Sequence, residues 1–219
     1  DHPDVYQDFD HTKTTFMSFF QNIQPNGYLI INAEDDELQK IAQIIKDKRS
    51  DLTLISYGQI KGDYQYKLQE SSPHITKAII DDGQVKTLLS LVIPGMHNVA
   101  NAVGAVIAAH ITKVSILDAA QSLTTFKSTQ RRFELRGTIN GVTYFDDYAH
   151  HPREIAAVLH TVQSWKTTGR VVIAFQPHTF SRTKQLFSEF TQILSHSPEL
   201  VLLDIFASAR EAYDPSITS

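Results

Sequence analysis

Between Val142 and Phe206 the chain alternates strand and helix patterns at lengths that leave few folds open. Val142 to Asp146, Arg170 to Phe175 and Leu200 to Phe206 read as short β-rich runs, while Pro152 to Trp165 and Arg182 to Leu194 carry apolar residues at helical spacing. Ile155, Val158, Leu159 and Val162 stripe the first helix, and Pro152 suits its opening turn. Leu186, Phe187, Phe190, Ile193 and Leu194 stripe the second. Neighbouring parallel strands need a long connection, and a helix supplies it, so this order predicts parallel strands joined by right-handed crossovers. Residues 130–219 are thus expected to form a Rossmann-like domain, incomplete because three strands are fewer than a doubly wound sheet usually holds.

The preceding part has another rhythm. Phe16, Phe19, Phe20 and Ile23 predict a helix that Pro25-Asn26-Gly27 stops, and Tyr28 to Asn32 reads as a buried strand. Leu38, Ile41, Ile44 and Ile45 place one apolar face on a helix over Glu34 to Lys46, with a strand at Leu52 to Tyr57. From Tyr64 to Ile93 three β-rich runs, two of them flanking Asp81-Asp82-Gly83, predict an antiparallel insertion. A buried helix over His97 to Ile111 and a polar one from Ser115 to about Phe126 follow. Lys127-Ser128-Thr129-Gln130 has linker composition, so a boundary is expected near Gln130, making 1–129 a first, mixed α/β domain. The chain opens on Asp1 without an initiator Met, which reads as a fragment.

Composition narrows the function. Of 219 residues 42% are apolar and 20% charged, as in an ordinary globular protein, and a net charge of -4 gives no basic field for nucleic acid. The absence of cysteine excludes disulfides, thiolate metal sites and cysteine nucleophiles, and fits a cytoplasmic location. The longest apolar stretch, near Leu88 to Ile93, is far short of the roughly 20 residues that span a bilayer. No membrane partner is expected.

In open α/β sheets ligands gather at the carboxyl ends of the strands. The loops there offer Asp146, Asp147, Tyr148, His150 and His151, then Gln176, His178, Ser181 and Arg182, then Asp204, Ser208 and Arg210. Singly, such residues are usually caps or solvated side chains; three loops at one sheet edge make a site. The first loop has no G-x-G-x-x-G and the chain no G-x-x-x-x-G-K-[ST], which argues against a dinucleotide domain and leaves His11-Thr12-Lys13-Thr14-Thr15 as a helical coincidence. Asn98 either caps the helix after Pro94-Gly95 or joins Asn101 on one face to read a base edge. Arg131-Arg132 either clamps a phosphate or stands in solvent, and His2 is either a metal ligand or part of a frayed terminus.

Four segments, taken together and in order, resemble the Mur ligases. They are Pro94-Gly95-Met96-His97-Asn98-Val99-Ala100-Asn101-Ala102, then Arg131-Arg132-Phe133-Glu134, then Asp146-Asp147-Tyr148-Ala149-His150-His151-Pro152, then Phe175-Gln176-Pro177-His178-Thr179-Phe180-Ser181-Arg182. The last two resemble in particular the member that joins L-alanine to UDP-N-acetylmuramic acid in peptidoglycan precursor synthesis. The resemblance implies the end of a central ATP-binding domain, with its antiparallel insertion, followed by the Rossmann-like ligase domain. It implies ATP and magnesium as cofactors, small-molecule substrates, and a reaction through an acyl phosphate that the alanine amine attacks. Arg132 would reach the terminal phosphate, Asp147 the ribose hydroxyls, and Asn98 and Asn101 the adenine. His2 resembles the family's metal-site histidine. Tyr148, His150, His178 and Arg182 would hold alanine, with Arg182 on its carboxylate and His150, like Arg132, catalytic. Relatives often carry an Arg where this chain has Thr179, which loads Arg182 further. The ligase loops are expected to face the helix starting near His97, and the 219 residues alone to be inactive. Two other readings remain: a recycling ligase that joins a peptide to the same sugar, and a non-catalytic nucleotide-binding module of the same fold.

Overall fold

The computed structural model describes residues 6–127, 129–165, 169–209 and 211–219, which divide into two compact units, one of Gln7–Lys127 and one that groups Tyr6 with the described residues after 127.

In the first unit α1 (Phe9–Gln21) begins where the Asp8 carboxylate accepts the N–H of His11 at 2.7 Å, satisfying one of the orphan donors of its first turn. Strand β1 (Tyr28–Asn32) leads to α2 (Asp36–Lys48), which has acidic residues in its first turn and lysines in its last, as the helix dipole favours. Strand β2 (Thr53–Gly58) is followed by β3 (Tyr64–Ser71), β4 (Thr76–Asp81) and β5 (Lys86–Leu91), and the sheet order is β1-β2-β3-β4-β5. The expected antiparallel run is present as β3, β4 and β5, each antiparallel to the next. Strand β3 pairs parallel to β2 at Tyr57↔Tyr64 and Gly58↔Gln65, so β3, β4 and β5 extend one mixed sheet. The turn between β2 and β3 is held by the Asp63 carboxylate, which accepts from the Ser56 N–H and hydroxyl, each at 2.8 Å.

Helix α3 (Met96–Ile111) is apolar because it is core: Val99, Val103, Val106 and Ile107 bury against Ile80, Leu89 and Leu91 of the sheet, and α4 (Ile116–Ser122) adds Ala119 and Ala120. A second cluster joins Phe20, Ile41 and Ile45 to Leu29 and Ile31. The N-cap of α3 is Gly95, not Asn98. Gly95 sits at φ 103°, a conformation open to glycine, and Asn98 lies inside the first turn with its amide donating to the Pro94 carbonyl at 2.6 Å.

The second unit departs further from expectation. Strand β6 (Glu134–Ile139) precedes β7 (Val142–Asp146), and the two form an antiparallel hairpin closed by Asn140-Gly141, both at positive φ. An Asn-Gly pair between alternating residues is the strongest short hairpin signal, and it claims β7 for a local partner. Helix α5 (Pro152–Gln163) follows, then β8 (Ile173–Phe175), α6 (Phe180–Gln185), α7 (Phe187–Leu194) and β9 (Leu200–Leu202). Among the described residues of this unit only the strands β8 and β9 pair in parallel, so the expected run of three parallel strands reduces to two. The helix expected over Arg182 to Leu194 starts two residues earlier and breaks at Leu186, whose φ of -104° and ψ of 19° interrupt the ladder. Ile155, Leu159, Phe175, Phe190 and Leu194 make the core here.

Candidate active site

The loop after β7 is tied to the segment before β6 by backbone chemistry. Both oxygens of the Asp147 carboxylate accept main-chain N–H groups at 2.7 Å, one from Ala149 and one from Phe133, and the Tyr148 N–H donates to the Arg131 carbonyl at 2.7 Å. What pins residues 131–133 is Phe133, buried with its ring 5.1 Å from Phe145 and 5.3 Å from Trp165. Arg131 then lays its guanidinium 4.8 Å over the Tyr148 ring, a cation–π contact, with Nε 3.7 Å from Asp146.

The next turn is a capping box. His151 is the N-cap of α5, its Nδ1 accepts the Arg153 N–H at 3.2 Å, and Glu154 accepts the N–H groups of His150 at 2.9 Å and His151 at 3.2 Å. Burial opposes the Glu154 charge, but those two N–H groups with His150 and Arg132 nearby outweigh it and hold the carboxyl below its ordinary value. Arg132 approaches the same carboxylate at 3.7 Å. His151, acting as an acceptor, is held below the ordinary histidine value chiefly by burial. The Nδ1 of His150 lies 2.8 Å from the Tyr148 carbonyl, which can only accept. That bond places the hydrogen of the neutral ring on Nδ1 and the lone pair on Nε2.

The facing wall comes from the ends of β8 and β9. Gln176 donates to the Asp204 carbonyl at 3.1 Å, Phe206 donates to Pro177 at 2.8 Å, and Thr179 donates to Phe206 at 3.0 Å, so the two chain segments run as an extended pair past their strands. His178 stacks on Phe206 with centroids 5.4 Å apart, and burial, then the positive charge of Arg182, push its imidazole down. Between the walls lies a cavity of about 350 Å³, of ligand-binding size, with Arg131, Asp147, Tyr148, His150, Gln176 and His178 as its polar lining and Phe175 and Phe206 as apolar surface.

Of the residues singled out from sequence, Asp147, Tyr148, His150 and His178 thus share one cavity. Arg132 is not in its lining; Arg131 is. Arg182 is only 7% exposed, and its Nε has no hydrogen-bond partner among the described residues. A buried guanidinium donor without an acceptor is costly unless an anion comes to it. Asn98, buried, and Asn101, exposed, belong to the other unit. His2 and Arg210 lie outside the described residues. Among the described residues no group of three or more His, Asp or Glu could hold a metal ion, and no helix is long and apolar enough to cross a membrane. Sequence reading missed Glu154, although its position three residues after a capping position and two after a proline is a legible helix-start signature.

Comparison with known proteins follows this geometry. The model of the Mur ligase middle domain matches residues 1–109, and that of the Mur ligase, glutamate ligase domain matches residues 131–216. A UDP-N-acetylmuramate--L-alanine ligase of Clostridium perfringens is 39% identical over 213 residues, 96% of this chain and 45% of that protein. The chain therefore spans somewhat under half the length of such relatives. The crystal structure of UDP-N-acetylmuramate-alanine ligase from Thermotoga maritima superposes with a TM-score of 0.66 at 24% identity, over 87% of this chain and 48% of that one. MurF ligase from the same organism, solved in complex with ADP, gives 0.70 at 15% identity, over 89% and 44%. At these identities the two structures establish the fold.

Proposed function

This chain belongs to the Mur ligase family, and we propose that it supplies the end of the central ATP-binding domain, residues 1–129, and the ligase domain, residues 130–219, of a cytoplasmic enzyme that joins L-alanine to UDP-N-acetylmuramic acid. The division of the chain after Lys127 and the 39% identity to an alanine-adding ligase support the assignment. The observation that carries it is the cavity in which Tyr148, His150 and His178 meet, with Arg182 outside its lining but near enough for its charge to act on His178, and with the buried Arg182 Nε lacking an acceptor among the described residues.

Each residue has a role that its chemistry permits. Arg182 offers the planar donor fork suited to the alanine carboxylate, and Tyr148 and His178 would flank the amino acid. His150 carries its lone pair on Nε2, so it can take the proton that the alanine ammonium must lose before its nitrogen attacks an acyl phosphate. ATP, when bound, supplies the phosphoryl group that activates the muramyl carboxylate. Asp147 spends one acceptor position of each oxygen on the backbone and has lone pairs left for ribose hydroxyls. Asn98 and Asn101 would lie along the base, and Arg132 would offset charge on the phosphoryl group. Magnesium belongs to the proposal through His2.

The test is ADP release by the protein expressed from the complete reading frame that encodes this chain. Release should require both UDP-N-acetylmuramic acid and L-alanine, and Arg182→Ala should raise KM for alanine far more than KM for ATP. ADP release indifferent to alanine, or satisfied only by a peptide, would overturn the reading.

A further inference from the structure

Helix α6 has six residues, too few to be held by its own ladder, and the N–H groups of its first turn have no partner inside it. Its own cap is poor. Thr179 stands at φ 72° and ψ 137°, backbone that a β-branched residue avoids, and its hydroxyl meets the Arg182 N–H only at 3.4 Å.

The missing acceptors come from 31 residues downstream. One oxygen of Glu211 accepts the Phe180 N–H at 2.6 Å, and the other accepts the Ser181 N–H at 3.2 Å and the Ser181 hydroxyl at 2.9 Å. Burial works against a charge there, but these donors prevail and keep the carboxyl below its ordinary value. The same segment continues along the helix. Tyr213 sets its ring edge-on to Phe180 at 5.1 Å, and Lys184 donates to Asp214 and Ser216, each at 2.9 Å. His178 directly precedes the gripped turn, and Arg182 stands within it.

We propose that Glu211, with the strap that runs from it to Ser216, is a positioning residue for the amino-acid subsite: it clamps the first turn of α6 so that His178 and Arg182 are presented together to the carboxylate of L-alanine. The inference rests on the reading of that subsite given above. Glu211 acts through the backbone of residues 179–182 rather than by touching the amino acid. Without its acceptors the turn loses three hydrogen bonds to the strap and keeps a strained residue, so it should relax and carry the two side chains apart.

The experiment is an L-alanine titration of this chain by calorimetry or NMR, paired with amide hydrogen exchange at Phe180 and Ser181. Glu211→Ala should weaken alanine binding ~10-fold or more, as a misplaced clamp does, and expose both amides to exchange. Glu211→Gln keeps one acceptor oxygen and replaces the other with a donor, so it should restore protection at only one of the two amides and give an affinity between those of the parent and Glu211→Ala. If Glu211→Ala unfolds, Glu211→Asp keeps the charge but shortens the reach and should show the same loss. Unchanged affinity with unchanged protection in Glu211→Ala overturns the proposal. Failure of the unsubstituted chain to bind L-alanine sinks the subsite reading instead; the clamp then stands or falls on amide protection alone.

Discussion

The two units hold their polar residues in place by different means. In the first, α3 lies on a five-stranded sheet and buries six of its residues, Asn98 among them, in a continuous core. In the second, the core cluster has five buried residues, β9 is exposed along its length, and the cavity loops are fixed by carboxylates and carbonyls that meet backbone N–H groups. Packing tolerates little change of volume, whereas a web of hydrogen bonds tolerates little change of donor, acceptor or charge. The first unit should therefore respond to lost methylenes, and the second to lost acceptors.

The largest expected effect lies in the first unit. Leu89 is fully buried, and Leu89→Ala should cost about 2–5 kcal/mol through lost transfer energy and the cavity left behind, read as a fall in the urea midpoint by circular dichroism. A loss under about 1 kcal/mol would mean that this core is no tighter than that of the second unit. Next comes the one backbone position on which the start of α3 depends. Gly95→Ala puts a side chain at φ 103° and should destabilise by about 1–3 kcal/mol in the same assay.

Thr179→Gly should act in the opposite direction. It removes strain at φ 72°, and after allowing for the added freedom of the unfolded chain and a weak cap the net effect should be a gain of up to about 1 kcal/mol, followed through Trp165 fluorescence. A clear loss would show that the hydroxyl matters more than the backbone.

The smallest effect is a pH dependence. Because the folded value of Glu154 lies below its ordinary 4.5, its contribution is fully present above that value and is lost as pH falls through the lower folded value. Glu154→Gln should flatten the acid limb of the second unit's stability curve below pH 4.5 and leave the region above pH 6 unchanged in slope. An identical acid limb would place the sensitivity elsewhere.

Periodicity alone fixed most elements of the first unit, since stripes such as Leu38, Ile41 and Ile45 or the run Val99, Val103, Val106, Ile107 depend only on local spacing and burial. The residues themselves also showed the polar content of the loops, and four segments carried the resemblance to the family. Which strand joins which was not legible in the same way. Strand β7 looked like the first of three parallel strands, yet Asn140-Gly141 folds it onto β6, because a two-residue turn closes a pair at far lower entropic cost than a helical crossover. The antiparallel run was legible, but that it joins the sheet through β3 beside β2 was not, since no local spacing specifies that pairing. At the site, His150 and His178 were visible as residue types, but Arg131 over Tyr148, Phe206 against His178 and Glu211 on the first turn of α6 were not. Each of those contacts spans 17 to 31 positions, and sequence spacing carries no information about them. Sequence supplied the chemical groups and the local backbone habits; only the closure of long loops decided which groups would share a cavity and which carboxylate would hold the turn.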